Sequence, residues 1–496
     1  MLFSVILLAI AFLRLAESSM IFSSSKLDKR QLMVEEIFNG SPGFMCYADN
    51  YNILGNNWNH TYTMSEPQQL HISLTDDATH ARVQFATLGK IQDSVLAYWP
   101  KKEYRNYHHR SNRASKNKIF LNGENWVFTD GGLAKRELYL HKFKTYALIP
   151  ATIYAYQVGS VINNKIRWSK TYEFHTAPET NGFSFLATGD VGACNAVAVS
   201  HLIELGKTHK YDFVTLAGDQ AYNMEDFNGT KGDEYMNFMQ DLYAQVPYLG
   251  AVGNHEGAYN FTHYKNRFNI VPYTESKFDN SMFYSINYKS LHLVSFSTEV
   301  YFTGSTAEIR TALNWLEADL TKANKNREER PWVIFLTHHP IYCSVVSADC
   351  TTKASIIRDG VIGANNRTWG GLEDILLKHK VDIYMSGHVH NYERTYPVSK
   401  NKRIATSYHN SPSFFQIVIG NAGQPEGATP FGPGPYNDWS AKRYGSYGFS
   451  TFDVSRTAIH ITHYQAHTDG RLGDVVDKFS VTKDPYRIKS KRNCKA

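Results

Sequence analysis

Five continuous apolar runs from residue 183 onward each lead into a residue that is able to bind a metal ion. The runs are "FSFLATGD", "YDFVTLAGD", "YLGAVGN", "WVIFLTHH" and "VDIYMSGH", with helix-like stretches such as "AVAVSHLIELGKTH" and "AEIRTALNWLEADLTKAN" between them. Strands that are apolar throughout are buried on both faces between covering helices. Because parallel strands present their carboxyl ends along one crevice, we expect these residues to converge there.

The residues at the ends of these runs form a candidate ligand set: Asp190, Asp219, Asn254, His338, His388 and His390. Singly, each has an ordinary alternative, since an aspartate after glycine is often a turn or helix-capping residue and a histidine is often hydrogen-bonded in a core. The His-x-His spacing is more telling, because alternate residues of a strand project to one face. Six oxygen and nitrogen donors exceed what one tetrahedral zinc ion takes, whereas two ions bridged by a carboxylate use them all.

The preceding part of the chain has a different pattern. Short bursts such as "LHISL", "ARVQFATL", "TIYAYQVGS" and "TYEFHT" alternate apolar and polar residues, which is typical of strands in an antiparallel sandwich. We therefore predict a β-sandwich domain over residues 20–180, an α/β domain over 181–482 and a basic tail over 483–496. The strands "SYGFSTFDVS" and "AIHITHYQA" would complete the second domain, and "NAGQPEGATPFGPGPYNDWSAKRYG" would be a surface loop.

Composition supports a folded protein of two domains. The chain has 496 residues, of which 42% are hydrophobic and 14% aromatic, and this is too long for one ordinary core. The net charge of +6 is modest and both signs are interspersed. The tail "YRIKSKRNCKA" is the basic run, and a solvated tail is favoured over a nucleic-acid or matrix contact. Because aromatic and basic residues are not interleaved, no nucleic-acid partner is predicted.

The amino terminus and the sequons indicate the secretory route. The run over residues 1–19, "MLFSVILLAIAFLRLAESS", is typical of a signal peptide, although it lacks a basic start. No later segment is long and apolar enough to cross a bilayer. Five Asn-x-Ser/Thr triplets are candidate glycosylation sites, although such triplets also arise by chance: Asn39, Asn59, Asn228, Asn260 and Asn366.

Cysteine usage agrees with an oxidising compartment. Five cysteines are too few for a disulfide scaffold, but Cys343 and Cys350 flank a short polar loop and could form a bridge. Cys46, Cys194 and Cys494 leave at least one thiol unpaired, and burial or a loose tail position explains them equally well.

The motifs together resemble those of a known family. "GDVG", "GDQAY", "GNHE", "HHPIYC" and "GHVHNYERTYP" are similar to the motifs of the purple acid phosphatases, within the calcineurin-like metallophosphoesterases. The resemblance runs from about residue 65 to 480. It implies a fibronectin type III-like sandwich followed by a metallophosphoesterase domain of layered sheets flanked by helices. It also implies an acid phosphatase that acts on small phosphate monoesters.

The resemblance assigns a role to Tyr222, three positions after Asp219. A phenol has a pKa of about 10, so it binds as phenolate only to a strongly Lewis-acidic ion such as iron(III). Without the motif, a packed aromatic would be the simpler interpretation. The resemblance implies that iron(III) is bound by Asp190, Asp219, Tyr222 and His390. A divalent ion, either iron, zinc or manganese, would be bound by Asp219, Asn254, His338 and His388, with Asp219 bridging the two.

The implied mechanism is direct attack of a metal-bound hydroxide on phosphorus, without a protein nucleophile. His255, beside Asn254, corresponds to the family's histidine that protonates the leaving group, although it could instead orient Asn254 or a water. The sequence departs from the family after "HHP", because "IYCSVVSADCTTK" lacks the further histidines of several members. His339 is expected to be a poor substitute, since a strand neighbour of His338 points to the opposite face.

Two rival functions stay open at this stage. One is a phosphodiesterase or pyrophosphatase of the same superfamily with two divalent ions, which Tyr222 argues against. The other is a glycosylated binding protein with an inactive second domain, which the complete set of seven ligand positions argues against. The predicted location is secreted or lysosomal, and the sequence leaves the oligomeric state undetermined.

Overall fold

The computed structural model describes residues 60–103, 118–193, 195–363 and 367–485. These all belong to one compact unit, Gly43–Ala496. The predicted signal peptide, Asn39, Asn59, Asn366 and the three remaining cysteines lie outside the described residues, as does the tail from residue 486.

The first part of the described chain is an all-β sandwich, as predicted. Its strands are β1 Gln68–Leu74, β2 Ala81–Thr87, β3 Asp93–Glu103, β4 Ile119–Asn122, β5 Glu124–Thr129, β6 Glu137–Lys144, β7 Thr152–Ile162, β8 Lys165–Trp168 and β9 Tyr172–His175. One sheet has the order β1-β2-β6-β5, and the other has the order β4-β3-β7-β8 with β9 also paired to β7. Side chains of both sheets, among them Ile72, Phe85, Leu96 and Tyr156, share one apolar cluster.

The part of the chain from residue 183 holds two larger mixed sheets, which confirms the predicted layered α/β fold. The first has the order β12-β11-β10-β24-β25-β26 and the second the order β13-β14-β15-β18-β22-β19-β23. Their strands are β10 Phe183–Thr188, β11 Phe213–Ala217, β12 Tyr248–Ala251, β13 Phe283–Tyr288, β14 Leu291–Phe296, β15 Trp332–Leu336, β18 Ile383–Ser386, β19 Tyr392–Thr395, β22 Phe415–Ile419, β23 Ser440–Tyr444, β24 Gly448–Val454, β25 Ala458–Ala466 and β26 Leu472–Thr482. Two short pairs, β16 Gly360–Ile362 with β17 Thr368–Gly370 and β20 Val398–Ser399 with β21 Lys402–Arg403, lie outside these sheets.

The strands that carry the predicted ligands are parallel within each sheet but are divided between the two. β10, β11 and β12 run parallel in the first sheet, and β15 and β18 run parallel in the second. The sheets contact each other through aromatic side chains, since the ring of Tyr288 lies 5.2 Å from that of Phe183 and 5.5 Å from that of Phe213. The site is therefore built from two neighbouring sheets rather than along the edge of one.

Helices connect and cover these strands. They are α1 Val199–Gly206, α2 Thr230–Tyr243, α3 Ala258–Arg267, α4 Val300–Thr303, α5 Thr306–Asn324, α6 Ala354–Asp359 and α7 Leu372–Lys378. α5 begins with a capping box between Ser305 and Glu308 and buries Ile309, Leu316 and Leu320, the helical spacing that the sequence predicts. No helix in the described ranges is long and apolar enough to span a bilayer.

The predicted surface loop over residues 421–445 differs from the structure at its end. Ser440–Tyr444 forms β23, which pairs with β19 at the edge of the second sheet. The earlier part, including Glu426 and Thr429, lines the pocket described below. The glycine and proline content pointed to irregular backbone, whereas the pairing of β23 is a tertiary contact that local composition does not carry.

Candidate metal centre

The structure brings the seven predicted ligand residues into one region. Asp190 follows β10, Asp219 and Tyr222 follow β11, Asn254 follows β12, His338 follows β15, and His388 and His390 follow β18. Asp190, Asp219, Tyr222 and His338 are buried, whereas Asn254 is exposed at the pocket. The convergence at strand ends that the sequence predicts is therefore present.

The backbone of four of these residues is in the left-handed region. The φ angles of Asp190, Asp219, Tyr222 and His388 are 58°, 48°, 56° and 67°. Such conformations cost roughly 1–3 kcal/mol each for residues other than glycine and concentrate at functional sites. The fold therefore gives up stability to aim these side chains inward.

Two glycines beside the ligands leave room for them. At Gly218, φ is +89° and an added methyl group would overlap the ring of His338. At Gly387, an added methyl group would overlap Oδ2 of Asp190. The glycines in "GDQAY" and "GHVH" thus have a steric cause, because two loops approach each other closely at each.

Tyr222 lies between an aspartate and a histidine. Its phenol oxygen is 3.2 Å from Oδ1 of Asp190 and 2.9 Å from Nε2 of His390, and the residue is 0% exposed. Burial, followed by the charges of Asp190 and Asp219, raises the pKa of Tyr222 well above its ordinary value. The phenol is therefore neutral unless a cation displaces its proton.

A second group of donors meets at His338. Its Nε2 is 3.0 Å from Oδ1 of Asn254, 3.1 Å from Oδ2 of Asp219 and 3.1 Å from Nδ1 of His388. Its Nδ1 faces the carbonyl oxygen of Ala217 at 2.8 Å, which leaves Nε2 directed at the group. Four loops thus supply one donor atom each to a small volume.

Asp219 lies between the donors around Tyr222 and the donors around His338. One oxygen faces His338, and the other accepts a hydrogen bond from the backbone N–H of His255 at 2.9 Å. Ligand atoms of Asp190, Asp219 and His338 all lie within 4.8 Å of one another. Burial opposes ionisation of Asp219, but the neighbouring His338 and His255 outweigh it and lower its pKa.

The histidines near Asp219 differ in their affinity for protons. His338 is buried, which lowers its pKa, but Asp219 more than compensates and raises it to about 10. Burial and the neighbouring His339 lower the pKa of His388 to about 4. Burial is likewise outweighed by Asp190 at His390, whose pKa is raised. A cation that binds here must displace the proton of His338.

The expectation that His339 turns away from the site is wrong. Its ring centroid lies 3.9 Å from that of His388 and 5.1 Å from that of His338. β15 ends at Leu336, so strand alternation no longer applies at positions 338 and 339. Burial and the charge of His338 hold the pKa of His339 well below its ordinary value.

Strand alternation does not hold for the His-x-His pair either, so that expectation is also wrong. β18 ends at Ser386, and the left-handed turn at His388 directs the two rings differently. Nδ1 of His388 faces His338, whereas Nε2 of His390 faces Tyr222. The pair therefore serves both donor groups rather than presenting one face.

His255 lies beside Tyr222 and lines the pocket. Its Nδ1 is 2.8 Å from Oδ1 of Asn223, and its ring centroid is 4.3 Å from that of Tyr222. Its Nε2 is directed outward, 3.5 Å from Oε1 of Glu426, and the residue lines the pocket. Asn223 and Glu426 were not singled out from the sequence, where neither carries a distinguishing pattern.

Glu256 is a third residue that the sequence analysis did not assign. Its buried carboxylate accepts backbone N–H hydrogen bonds from Asp219, Gln220 and Gly253 at 3.1, 2.8 and 2.9 Å. The loops after β11 and β12 are thus joined through one side chain. Two of these donors come from a loop that lies far from Glu256 in the sequence, so its role is a tertiary contact that the "GNHE" motif alone does not signal.

The cluster opens into a pocket of about 450 Å³. Its lining residues are Asp219, Asn254, His255, Val345, Ser347, Asp349, His388, Val389, His390 and residues 426–430. Among these described residues none is lysine or arginine. The basic side chains of this lining are therefore its histidines.

The remaining predicted site residues lie at the surface or near the pocket. A disulfide joins Cys343 and Cys350, and the loop that it closes includes three pocket residues, Val345, Ser347 and Asp349. Asn228 and Asn260 are exposed.

The donor set fits a bound metal centre. Two carboxylates, an amide oxygen, a phenol and three imidazoles converge, and a multivalent cation is the group that satisfies such a mixture of oxygen and nitrogen donors. The buried Tyr222 and the close approach of three donors to Nε2 of His338 are explained by cations between them.

Comparisons with known proteins agree with this geometry. Residues 183–392 match the calcineurin-like phosphoesterase family, residues 67–176 match the purple acid phosphatase N-terminal domain, and residues 413–475 match the iron/zinc purple acid phosphatase-like protein C family. An acid phosphatase type 7 from Homo sapiens is 36% identical over 359 residues, which cover 70% of this chain and 79% of that protein. One from Danio rerio is 33% identical over 440 residues, 85% and 92% of the two chains.

A solved structure supports the fold. A purple acid phosphatase from yellow lupin seeds aligns with a TM-score of 0.64 at 20% identity, covering 85% of this chain and 75% of that one. Fold and site together define a metal-dependent phosphoesterase, and hence a hydrolase. The chain belongs to the purple acid phosphatase family and is an acid phosphatase.

Proposed function

We propose that the protein hydrolyses small phosphate monoesters at a binuclear centre of iron(III) and one divalent ion. Iron(III) would be bound by Asp190, Asp219, Tyr222 and His390. The divalent ion, either iron, zinc or manganese, would be bound by Asp219, Asn254, His338 and His388. When bound, the two ions would supply an activated water and neutralise the phosphate oxygens.

The observation that carries this proposal is the position of Tyr222. Its phenol oxygen lies within 3.2 Å of Asp190 and 2.9 Å of His390, in a place where burial opposes loss of its proton. A site for two divalent ions has no need of a buried phenol, whereas iron(III) is acidic enough to bind phenolate. This favours the iron-containing acid phosphatase over the all-divalent phosphodiesterase or pyrophosphatase.

His255 is suited to protonating the leaving group. Asn223 accepts the hydrogen bond of Nδ1–H, so Nε2 is the nitrogen that faces the pocket. A protonated imidazole that gives up its Nε2 proton becomes the neutral Nδ1–H tautomer, which Asn223 stabilises. The proton therefore leaves from the side on which the substrate's ester oxygen would lie.

The pocket favours small monoesters. A volume of about 450 Å³ accommodates a small organic leaving group. The carboxylate of Glu426 lines the pocket, and a second phosphate placed beside it would meet negative charge. Pyrophosphate and other polyphosphates are therefore disfavoured, whereas the expected preference for a monoester over a diester rests on the likeness to acid phosphatases.

We also propose that the protein is glycosylated and travels the secretory route to a secreted or lysosomal location. The disulfide between Cys343 and Cys350 requires an oxidising compartment, and the exposed Asn228 and Asn260 are accessible to glycosylation. Protein recovered from culture medium should lose mass on treatment with an N-glycosidase. Material found only in the cytosol, with no such loss, would contradict this part.

The function is tested by comparing three substrates at pH about 5, where carboxylates are ionised and histidine carries a proton. We expect turnover of an aryl phosphate monoester to exceed that of a bis-aryl diester and of pyrophosphate. The variant Asp219→Asn, which removes the bridging carboxylate, should be inactive with all three. Preference for the diester or pyrophosphate would favour the rival hydrolases, and no turnover of any substrate would favour a binding protein.

A further inference from the structure

Asp349 contacts a predicted metal ligand from the loop that the disulfide closes. Its Oδ1 lies 3.0 Å from Nε2 of His388, while Nδ1 of His388 faces His338 at 3.1 Å. Asp349 immediately precedes Cys350, which is bonded to Cys343. Nε2 of His388, the nitrogen that faces away from His338, is thus held by the carboxylate of Asp349 beside the disulfide.

We propose that Asp349 is a positioning residue for His388 and that the Cys343–Cys350 disulfide holds Asp349 in place. The divalent half of the centre would therefore depend on an intact disulfide. This inference rests on the proposed function, in which His388 binds the divalent ion.

The chemistry of imidazole makes such a partner necessary. A histidine that binds a metal through Nδ1 carries its proton on Nε2, and that N–H needs an acceptor. Asp349 is the acceptor here, and it both selects the tautomer and orients the ring. Partners of this kind typically change metal affinity about 10- to 100-fold.

The loop is attached to the same turn that carries the ligand. Cys343 is 5% exposed and packs against Val389, the residue between His388 and His390, together with Val418 and the partly buried Cys350. Ser344 donates a backbone hydrogen bond of 2.8 Å to Glu393, which follows the turn in sequence. The disulfide therefore draws Cys350, and Asp349 with it, toward the turn that bears His388.

Lys353 provides the alternative explanation for Asp349. Its Nζ lies 2.8 Å from the same oxygen, one helical turn along the chain, and 45% of its side chain is exposed. Exposed pairs of this spacing contribute little to stability. Replacing Lys353 therefore distinguishes two explanations of Asp349, a local ion pair with Lys353 and a positioning role toward His388.

The experiment titrates metal-free protein with Zn²⁺ by calorimetry, without measuring turnover. His388→Ala identifies the Zn²⁺ site in question, because it should remove that site. We expect Asp349→Ala to lower the Zn²⁺ affinity of the same site by about 10- to 100-fold. Asp349→Asn keeps an acceptor oxygen and should have an intermediate effect on this affinity. Lys353→Met is the matched control and should stay within about threefold of wild type. Thermal unfolding of each metal-free variant verifies that it is folded.

The role of the disulfide is tested by Cys343→Ser/Cys350→Ser. We expect this double variant to bind Zn²⁺ more weakly than wild type and to add nothing to Asp349→Ala, because the cross-link acts through Asp349. If the double variant does not fold, treating folded wild type with a phosphine reductant and then alkylating the two freed thiols makes the same comparison, since free thiols would themselves bind Zn²⁺. Full additivity of the two effects would contradict the proposed role of the disulfide.

The outcomes separate this inference from the proposed function. If His388→Ala weakens Zn²⁺ binding and Asp349→Ala does not, Asp349 is not a positioning residue and the proposed centre stands. If Lys353→Met matches Asp349→Ala, the ion pair accounts for the effect and the inference fails. If His388→Ala itself has no effect, the ligand assignment in the proposed function fails.

Discussion

Nε2 of His338 lies 3.1 Å from Oδ2 of Asp219, so an ion pair occupies the centre of the metal-free cluster. The pKa of His338 is raised to about 10 and that of Asp219 is lowered, hence both are charged at neutral pH. A divalent ion bound by His338 must displace this proton, because only the neutral ring is a ligand.

Divalent metal binding should therefore release protons and strengthen with pH. Since His338 stays protonated up to about pH 10, we expect apparent affinity to rise up to about tenfold per unit between pH 6 and 8. Calorimetry in buffers of different ionisation enthalpy measures the released protons directly. Binding that releases none and does not change with pH would contradict the proposed ligand role of His338.

The stability of the metal-free protein should respond to pH in the opposite sense. A raised histidine pKa contributes stability that is fully present below 6.5 and is lost as pH rises to about 10. The lowered pKa of Asp219 contributes stability that is present above 3.8 and is lost in acid. Thermal unfolding of Asp219→Asn beside wild type isolates this ion pair, and their difference should shrink above pH 7.

Gly387→Ala should disable the centre and also lower stability, because the added methyl group would lie 2.7 Å from the carbonyl oxygen of Ala217. The added methyl group would overlap Oδ2 of Asp190 and push that carboxylate from its position beside Tyr222. We expect a loss of at least about tenfold in aryl phosphatase activity, since a small misplacement of a ligand is costly. Gly432→Ala, where the methyl group meets nothing within 4 Å, is the matched control and should keep full activity.

His255→Ala should lower kcat about 10²- to 10⁴-fold, and more for substrates with poor leaving groups. A general acid matters most when the departing oxygen is basic, so a plot of log kcat against leaving-group pKa should steepen. Asn223→Ala, which removes the acceptor at Nδ1, should reproduce part of this effect. His409→Ala, at the surface, serves as control, and an unchanged slope in His255→Ala would leave His255 with only a structural role.

Glu426→Gln should shift substrate preference. Its carboxylate lies at the pocket and repels a second phosphate. We expect kcat/KM for pyrophosphate to rise several-fold relative to an aryl phosphate, as for removal of one partly exposed charge. Asp438→Asn removes an exposed carboxylate farther along the chain and should change neither value. Equal effects of the two substitutions would show that only net charge matters.

The main features of the fold could be predicted from pattern alone. Apolar runs without alternation indicated strands buried on both faces, and β10, β11, β12, β15 and β18 lie where those runs are. The division of these strands between two sheets could not be predicted from the sequence. A buried strand needs the same apolar composition whichever of the two sheets it belongs to. Helix α1 begins later than its periodic stretch predicts, since Asn195 and Ala196 adopt positive φ values.

The residues that the sequence analysis missed act through tertiary contacts. Asp349 and Glu426 come from irregular loops, where neither periodicity nor spacing signals that a side chain faces the pocket. His339 was placed wrongly because strand alternation was extended past Leu336, where β15 has already ended. The ligand residues at strand ends could be predicted, because the fold requires a glycine and a polar ligand side by side at these positions.

The most direct test of the account is the visible absorption spectrum of the mildly oxidised, purified protein beside that of Tyr222→Phe. Phenolate bound to iron(III) gives a charge-transfer band, so we predict a purple wild type and a colourless variant that still contains metal. A wild type that is loaded with metal yet colourless would contradict the assignment of Tyr222 to iron(III), and with it the centre of iron(III) and a divalent ion on which the proposed function rests.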